Sequence, residues 1–328
     1  MTRSPAPVLL ILLLLAAASL LAAAALGSVS ISFGELVAGL AGRGDHTAVA
    51  VLWDLRLPRA ATAFVTGGLL ALAGALMQVL LRNPLADPYV LGISGGAAVG
   101  ALLTIALGLG GAWISGSAFI GAAFSMLLVF GLAQGRGGWT PGRLLLTGVV
   151  VASGWSALIT FLLALGPARD LRGMLFWLMG DLSRADGPGW ASLVLLLGLA
   201  AAVALARSLN VLARGELQAQ VLGVPVRGLR LGIYFLASML TAAAVTLAGS
   251  VGFVGLVVPH LLRLSVGSDH RLLLPAAVLL GGSFLVLADT AARTLLAPQQ
   301  LPVGVVSALI GVPLFLTLLY RGRGGEPV

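Results

Sequence analysis

The chain alternates long apolar intervals with short polar breaks, and this pattern predicts membrane-spanning helices. Residues 88–135 contain no charged side chain over 48 positions, and residues 231–262 contain none over 32. A helix needs about 20 consecutive apolar residues to cross a bilayer core. Breaks at glycine, proline and arginine divide the chain into ten predicted spans: 8–29, 60–81, two within 88–135 separated at 107–111, 144–168, 187–206, 231–247, 255–265, 272–292 and 303–320.

These spans predict an all-α polytopic membrane protein in which residues 1–328 form a single transmembrane domain. The composition agrees, since 59% of the residues are hydrophobic and 45 are glycines, which let helices pack closely in lipid. The first span is expected to be retained. The alternative is removal as a signal peptide, because "AAAALGS" (22–28) resembles a cleavage site. A short external helix is predicted at 171–180.

The distribution of basic residues predicts the orientation. Ten spans place both termini on one side, and a cytoplasmic N-terminus puts twelve arginines inside and seven outside. This bias follows the positive-inside rule, so both termini are predicted to be cytoplasmic and the protein to lie in a bacterial inner membrane. Because the arginines are scattered between spans, the net charge of +8 indicates topology and no nucleic-acid partner.

The absence of two residue types limits the chemistry. All nineteen basic residues are arginine, so the chain cannot contain a lysine-bearing P-loop, and any ATP-driven step needs a separate subunit. With no cysteine and three separated histidines, no resident metal or other cofactor is expected. The chain is therefore not predicted to be an enzyme by itself.

Three external arginines run against the positive-inside trend. Arg56 and Arg59 form "RLPR" before the second span, and Arg293 lies at the outer end of the ninth. They either snorkel to the interface or bind carboxylates of an external partner. Asp289 offers a third possibility, because it is four residues from Arg293 and could form a local ion pair.

The turn between the second and third spans reads "LLRNPLADPYVLGISGGAAVG" (80–100). Pro84 and Pro88 prevent a continuous helix, while Asn83 and Asp87 are suitable capping residues. The residues leave two interpretations open. The segment is either a tight helix–loop–helix connection or a cytoplasmic constriction of a transport path.

A second polar interruption is "RGELQAQVLGVP" (214–225). It predicts a two-turn amphipathic helix, with Glu216 near its N-terminus and Leu217 and Val221 on one apolar face. Gly223 ends the helix and Pro225 prevents its continuation. This helix either lies on the inner leaflet or docks to a cytosolic protein.

Five motifs carry a family resemblance that spans nearly the whole chain. They are, in order, "RLPR", "NPLADPYVLG", "RGELQAQVLGV", "GFVGLVVPH" with the following "DHR", and "LPVGVV". Together they resemble the permease subunits of bacterial ABC importers for vitamin B12, haem and iron siderophores. The resemblance implies a homodimer of ten-helix subunits, two cytosolic ATPase subunits that bind ATP and magnesium, and one periplasmic binding protein. It also implies alternating access and a bulky metal chelate as cargo.

The resemblance implies three sets of functional residues. Arg56, Arg59 and Arg293 would dock the binding protein. The segment 215–223 would be the coupling helix for the ATPase, with these contacts: Arg214, Gly215, Glu216, Leu217, Gln220, Leu222 and Gly223. The cytoplasmic gate would include Asn83, Pro84, Leu85 and Thr140.

The cargo and two other functional classes stay open. The vitamin B12 members look nearest in "LRLPR" and "DHR…LLP", with haem and siderophores as alternatives. An ion-coupled secondary transporter would need carboxylates within the membrane, and Asp289 is the only one near a span. An intramembrane enzyme would need a catalytic motif, and the chain has neither HExxH nor cysteine.

Overall fold

The computed structural model describes residues 5–27, 33–43, 45–134, 140–183, 185 and 187–322, and this part of the chain is helical without a β-strand. Its α-helices are α1 (Pro5–Ala25), α2 (Phe33–Leu40), α3 (His46–Ala50), α4 (Leu57–Leu80), α5 (Ile93–Ala106), α6 (Ala112–Ala133), α7 (Pro141–Leu165), α8 (Leu171–Leu178), α9 (Gly189–Ala204), α10 (Ala206–Arg214), α11 (Glu216–Val221), α12 (Val226–Ala248), α13 (Val254–Val266), α14 (His270–Thr294) and α15 (Val303–Gly322). A π-helical segment, Val51–Arg56, joins α3 to α4, and a 3₁₀ turn, Pro88–Leu91, precedes α5.

A helix lies at each of the ten predicted places. Within the described residues, six helices are long and apolar enough to cross a membrane: α1, the continuous helix His46–Leu80, α6, α7, α12 and α14. Helices α9 and α10 together form a seventh candidate, bent by 59°. Helices α5, α13 and the apolar part of α15 are shorter. The helix positions agree with the sequence pattern, and the count of ten spans stays a prediction.

Helix α4 begins at Leu57, close to the predicted start of the second span at residue 60. The helical backbone extends further back than predicted, through the π-helical segment and α3 to His46. Asp54, Arg56 and Arg59 end the charge-free interval in the sequence, which placed the predicted boundary after them. The helix continues through these charges because the fold supplies internal partners for both arginines. By contrast, the predicted short helix at 171–180 is confirmed as α8.

Helix α4 is the centre of the bundle and packs against α12, α13 and α14. Its most apolar window is 94% buried. Glycines set the closest crossings, since an added Cβ at Gly67 would overlap the Gly281 carbonyl and one at Gly74 would overlap that of Gly255. In lipid, the hydrophobic effect does not drive apolar helices together, so their association depends on van der Waals contact. Small residues strengthen that contact because they let the helix backbones approach closely.

Helix α7 is the opposite case. It touches α5 and α6, yet only 6% of its most apolar window is buried. Leu146 and Val150 are both well over half exposed, and Gly154 has no neighbouring atom within 4 Å of an added Cβ. This helix therefore presents its apolar surface outward, to lipid or to another chain.

The loops gather at two opposite ends of the bundle, separated by the length of α4, which is about 36 Å for 24 residues. The α8 end contains α8, the C-terminus of α1 and the start of α15, where Val303 N–H donates to the Gly180 carbonyl at 3.0 Å. The α11 end contains α11, the turn after α4 and the turn between α13 and α14.

Candidate functional site

At the α8 end, Asp289 lies between two of the predicted docking arginines. The Arg59 guanidinium donates to both Asp289 carboxylate oxygens, with contacts of 2.8 to 3.1 Å, and its Nη1 donates to Gln300 at 2.8 Å. Arg293 Nε lies 3.7 Å from the same carboxylate. The local pairing of Arg293 with Asp289 is thus confirmed, whereas the pairing of Arg59 across 230 positions was not predicted.

Arg56 and Arg293 also bind the end of α1. Arg56 Nη1 donates to the carbonyls of Ala24 at 2.7 Å and Ala25 at 2.9 Å, and Arg293 Nη2 donates to Ala23 at 2.5 Å. These carbonyls have no partner within their own helix and form the negative end of its dipole. Both side chains are buried, with 4% and 7% exposure. The two arginines therefore act as a C-terminal cap for α1.

The structure brings all three arginines to one place, and it turns their donors mostly inward. The Arg59 side chain is 12% exposed. Arg59 and Arg293 share the one Asp289 carboxylate, so this pair of guanidinium groups keeps an excess positive charge and attracts anions. A carboxylate from another protein would share or replace internal contacts, and the docking role stays a prediction.

At the α11 end, the predicted coupling helix is present as α11. Gly215 has a φ of 141° and Gly223 a φ of 76°, backbone conformations that favour glycine. The helix ends in a Schellman arrangement, because Gly223 N–H donates to Gln220 and Val224 N–H donates to Ala219. Local sequence alone explains both boundaries.

Helix α11 exposes an apolar patch that consists of Leu217, Val221 and Leu222. Their exposed fractions are 78%, 85% and 69%, while Ala219 faces inward and is buried. Such a contiguous patch beside polar residues is typical of a surface that binds another protein or a membrane. The predicted contacts Arg214 and Gln220 are also exposed.

Glu216 has an internal partner that the sequence did not reveal. Its two carboxylate oxygens accept from Arg230 Nη1 at 3.0 Å and from Nη2 at 2.7 Å. This bidentate ion pair joins α11 to α12, and α12 packs on the central α4. Glu216 therefore holds α11 onto the bundle.

The predicted gate turn is ordered by its own side chains. Asn83 Oδ1 accepts from the Leu85 N–H at 2.9 Å, and Asp87 Oδ1 accepts from the Tyr89 N–H at 2.8 Å. Burial raises the pKa of Asp87 to about 6, although the Tyr89 N–H opposes that shift. The Tyr89 hydroxyl accepts from the Val251 N–H at 3.1 Å. This bond links the turn to the break between α12 and α13.

The four predicted gate residues do not form one cluster. Asn83 and Pro84 line a cavity of about 590 Å³ at the α11 end, together with Arg214. Leu85 is 41% exposed and does not line that cavity. Thr140 caps the start of α7, where its hydroxyl accepts from the Arg143 N–H at 3.3 Å.

Four residues of these sites were absent from the predicted sets: Val221, Arg230, Asp289 and Gln300. Val221 was recognisable, since it lies one turn from Leu217 on the apolar face. Asp289 also gave a signal, because a carboxylate near an apolar span needs a charged partner. Arg230 and Gln300 had no comparable signal, since their contacts join different helices.

Comparison with known proteins agrees with this arrangement. The sequence profile of the FecCD transport family matches residues 11–321. The cobalamin import system permease protein BtuC of Halobacterium salinarum is 43% identical over 277 residues, 84% of this chain and 74% of that protein. The vitamin B12 import system permease protein BtuC of Escherichia coli O9:H4 is 40% identical over 275 residues, 83% of this chain and 84% of that protein.

A solved structure shows the same fold. The protein in that solved structure is assigned to the metal-chelate type of ABC transporter and adopts an inward-facing conformation. The alignment has a TM-score of 0.84 at 31% identity and covers 97% of this chain and 100% of the other. The chain therefore belongs to the FecCD transport family and is an inner-membrane permease subunit of an ABC transporter.

Proposed function

We propose that this permease moves a corrinoid of the vitamin B12 class from a periplasmic binding protein into the cytoplasm by alternating access. Two copies, each with ten spans and cytoplasmic termini, would form the path, and two ATPase subunits would drive it. The observation that carries the proposal is the exposed apolar patch of α11, which has no partner in the described part of the chain.

The patch supports ATPase docking at the α11 end. The patch lies on a short helix whose two ends are set by Gly215 and Gly223 within the chain. The arrangement of Leu217, Val221 and Leu222 therefore does not depend on a partner. The ion pair between Glu216 and Arg230 connects that helix to α12. A displacement imposed on the patch would therefore reach the bundle through a bidentate contact.

The arginine cluster supports docking of the binding protein at the α8 end. Arg59 and Arg293 share one carboxylate there and keep an excess positive charge, which suits carboxylates on a partner, and Arg56 lies beside them at the end of α1. Because Asp289 holds the Arg59 guanidinium in place, part of the conformational entropy of that side chain is already lost before binding.

The exposed surface of α7 supports a homodimer. An apolar helix with 6% of its window buried matches a helix covered by a second copy and lipid. Opening and closing would involve the turn that contains Asn83, Pro84 and Leu85, with Thr140 at the start of α7.

The relatives support the choice of cargo. Two proteins named as cobalamin or vitamin B12 permeases are 40% to 43% identical to this chain. Haem and ferric siderophores are the other two cargo classes of the family resemblance. The chain itself would bind no cofactor, and ATP with magnesium would bind to the ATPase subunits.

Uptake into vesicles tests the proposal. The permease is reconstituted with its ATPase and supplied with labelled cobalamin, haem or a ferric siderophore on the binding protein. We expect cobalamin uptake that requires ATP hydrolysis and persists when an ionophore removes the ion gradients. Uptake that occurs without the ATPase and is abolished by the ionophore would indicate an ion-coupled transporter. ATP-dependent uptake of another chelate would change the cargo and keep the mechanism.

A further inference from the structure

A basic cavity at the α11 end extends beyond the residues predicted to contact the ATPase. It measures about 590 Å³ and is partly open to the surface. Three arginines line it: Arg82 after α4, Arg214 at the end of α10 and Arg263 on α13. Of these, only Arg214 belongs to the predicted coupling contacts. Asp269 is the one acidic residue of the lining, so the lining has a formal charge of +2.

None of the three arginines forms an ion pair with a carboxylate in the part of the chain that the structure describes. Arg263 instead donates to the side-chain oxygen of Gln78, which is buried. The Gln78 Nε2 donates to the carbonyls of Gly255 and Leu256, both at 3.3 Å, and so fixes the orientation of the amide. An uncharged group therefore holds the Arg263 guanidinium at the cavity, and its charge is not compensated.

The acidic residue of the lining is already bound by other groups. Asp269 Oδ1 accepts from Asn210 Nδ2 at 2.7 Å and from the Arg271 N–H at 3.0 Å, at the N-cap of α14. Asn210 Oδ1 in turn lies 2.6 Å from His270 Nδ1. Because an amide oxygen only accepts, the Nδ1 atom carries the proton and Nε2 is an acceptor. His270 lines the cavity and is 1% exposed, and its Nε2 has no hydrogen-bond partner among the described residues.

Arg82 has an unusual backbone. The Arg82 N–H donates to Val79 and the Asn83 N–H to Gln78, so helix α4 ends in a Schellman arrangement with Arg82 at the position where glycine is usual. Its φ is 50°, in the left-handed region that is disfavoured for a side chain with a Cβ. A guanidinium thus lines the cavity at a backbone cost that glycine would avoid, which points to a function of this side chain outside the fold itself.

The apolar patch on α11 is too small to hold a partner alone. A stable interface buries about 800 Å² on each partner and involves about 20–30 residues, whereas the patch has three exposed side chains. An ATPase bound to α11 must therefore contact the surrounding surface as well. The wall of the cavity begins at Arg214, which directly precedes Gly215 at the start of α11. The surface next to the patch is thus the basic cavity.

We propose that this cavity receives an acidic segment of the ATPase subunit, whose carboxylates bind Arg82 and Arg263. The positive lining complements carboxylates, and a guanidinium can bind a carboxylate through two hydrogen bonds. A protein segment also carries N–H and hydroxyl groups, which can donate to His270 Nε2. The inference rests on the proposed docking of the ATPase at α11. It adds a second contact, because Arg82 directly precedes Asn83 and Pro84, so that ATPase motion reaches the predicted gate turn without passing through α11.

Binding of the purified cognate ATPase to the full-length permease in detergent tests the inference. Wild type is compared with Arg82→Gly and with a double variant that combines Arg82→Gly and Arg263→Gln. The matched control combines Arg207→Gln and Arg227→Gln, which removes the same charge from two exposed arginines that do not line the cavity. Affinity is measured at low and at high salt, and thermal unfolding of each permease without the ATPase checks that it is folded.

We expect Arg82→Gly to lower the affinity for the ATPase by about fivefold and the double variant to lower it by at least about tenfold. Arg82→Gly should be at least as stable as wild type, because glycine adopts the observed φ without strain. A purely structural role of Arg82 predicts no loss of affinity in this variant. The control should bind like wild type, and salt should weaken the binding of wild type more than that of the double variant.

A cross-link identifies the partner segment. The chain contains no cysteine, so Arg82→Cys supplies a single attachment point for a photoreactive maleimide. After irradiation of the complex with the ATPase, mass spectrometry should find the label on an ATPase peptide that contains aspartate or glutamate. Labelling that is confined to the permease, or to ATPase peptides without an acidic residue, would contradict the inference.

Three further results would overturn it. Wild-type ATPase affinity in the double variant would exclude the cavity from the interface. Equal losses in the double variant and the control would indicate general electrostatic attraction. Thermal stabilisation of the permease by inorganic phosphate, relative to chloride at equal ionic strength and lost in the double variant, would identify a free anion as the occupant. If substitutions in the α11 patch weaken ATPase binding and those in the cavity do not, this inference fails while the proposed function stands.

Discussion

The two ends of the bundle differ in whether the side chains predicted to dock partners already have partners within the chain. At the α8 end, Arg56, Arg59 and Arg293 are buried or nearly buried and are bound by Asp289 and the carbonyls of α1. At the α11 end, the patch on α11 faces outward with 69% to 85% of each side chain exposed. Both ends were predicted to dock partners, yet only the second leaves its groups unpartnered within the described chain.

The difference follows from what each kind of group costs when it has no partner. An isolated guanidinium in a low-dielectric region costs several kcal/mol, so the fold must supply a counter-charge before any other protein arrives. Leaving a leucine side chain exposed costs only about 1.5–3 kcal/mol of free energy relative to burying it, so the side chain can stay exposed until a partner binds. The arginine cluster is thus preassembled within the chain, and the apolar patch on α11 stays exposed.

The largest effect is expected from Asp289→Ala. The variant leaves Arg59 and Arg293 together without their carboxylate, and breaking such a buried pair costs about 3–5 kcal/mol of unfolding free energy. Thermal or denaturant unfolding in detergent measures the loss. Asp54→Ala is the control, since Asp54 is exposed near the same end. Equal stabilities for the two variants would mean that the α8 end is not preassembled.

The next effect concerns the patch. Leu217→Asp combined with Val221→Asp should weaken ATPase binding by about a hundredfold, as loss of central interface contacts does. The stability of the permease should not change, because neither side chain packs inside the chain. Gln218→Asp adds charge on the same exposed helix without removing apolar surface and should bind the ATPase nearly as well.

A smaller effect is expected from Arg59→Gln. The variant keeps a hydrogen-bonding group and removes one charge from the cluster, so affinity for the loaded binding protein should fall by about tenfold. Arg169→Gln is the control, since that side chain is 80% exposed at the same end. Similar small losses in both variants would indicate general electrostatic attraction, and no specific docking by Arg59.

The smallest effect is a pH dependence at the predicted gate turn. Burial raises the pKa of Asp87 from 3.8 to about 6, so the folded chain favours the protonated acid. The stability from this group is fully present below about pH 4 and is lost as pH rises through about 6. Asp87→Asn keeps an acceptor for the Tyr89 N–H and should flatten thermal stability across that range. An unchanged slope in the variant would exclude Asp87 as its source.

Local features were readable from the sequence. Gly215, Glu216 and Gly223 define α11 by short-range conformational rules, and the observed helix begins and ends where those rules place it. Helices also lie at the ten apolar intervals, because burying backbone polar groups in lipid requires helix. The apolar face at Leu217 and Val221 followed from helical periodicity alone.

Hydropathy did not separate the core from the surface. Helix α7 and the helix that contains α4 have nearly equal mean hydropathy, 2.0 and 1.9, yet they are 6% and 94% buried. In lipid, both environments accept the same apolar side chains. The glycines that bring α4 against α14 are visible in the sequence, but their partners are not.

The sequence by itself thus determined the helices, the membrane environment and the end at which the apolar patch is exposed, because these depend on neighbours within a few turns. The tertiary structure decided the partners of the charges. Arg59 meets Asp289 across 230 positions, Glu216 meets Arg230, and Arg56 caps α1. No local rule relates these pairs, since each forms only when separate helices pack and exclude water from their ends.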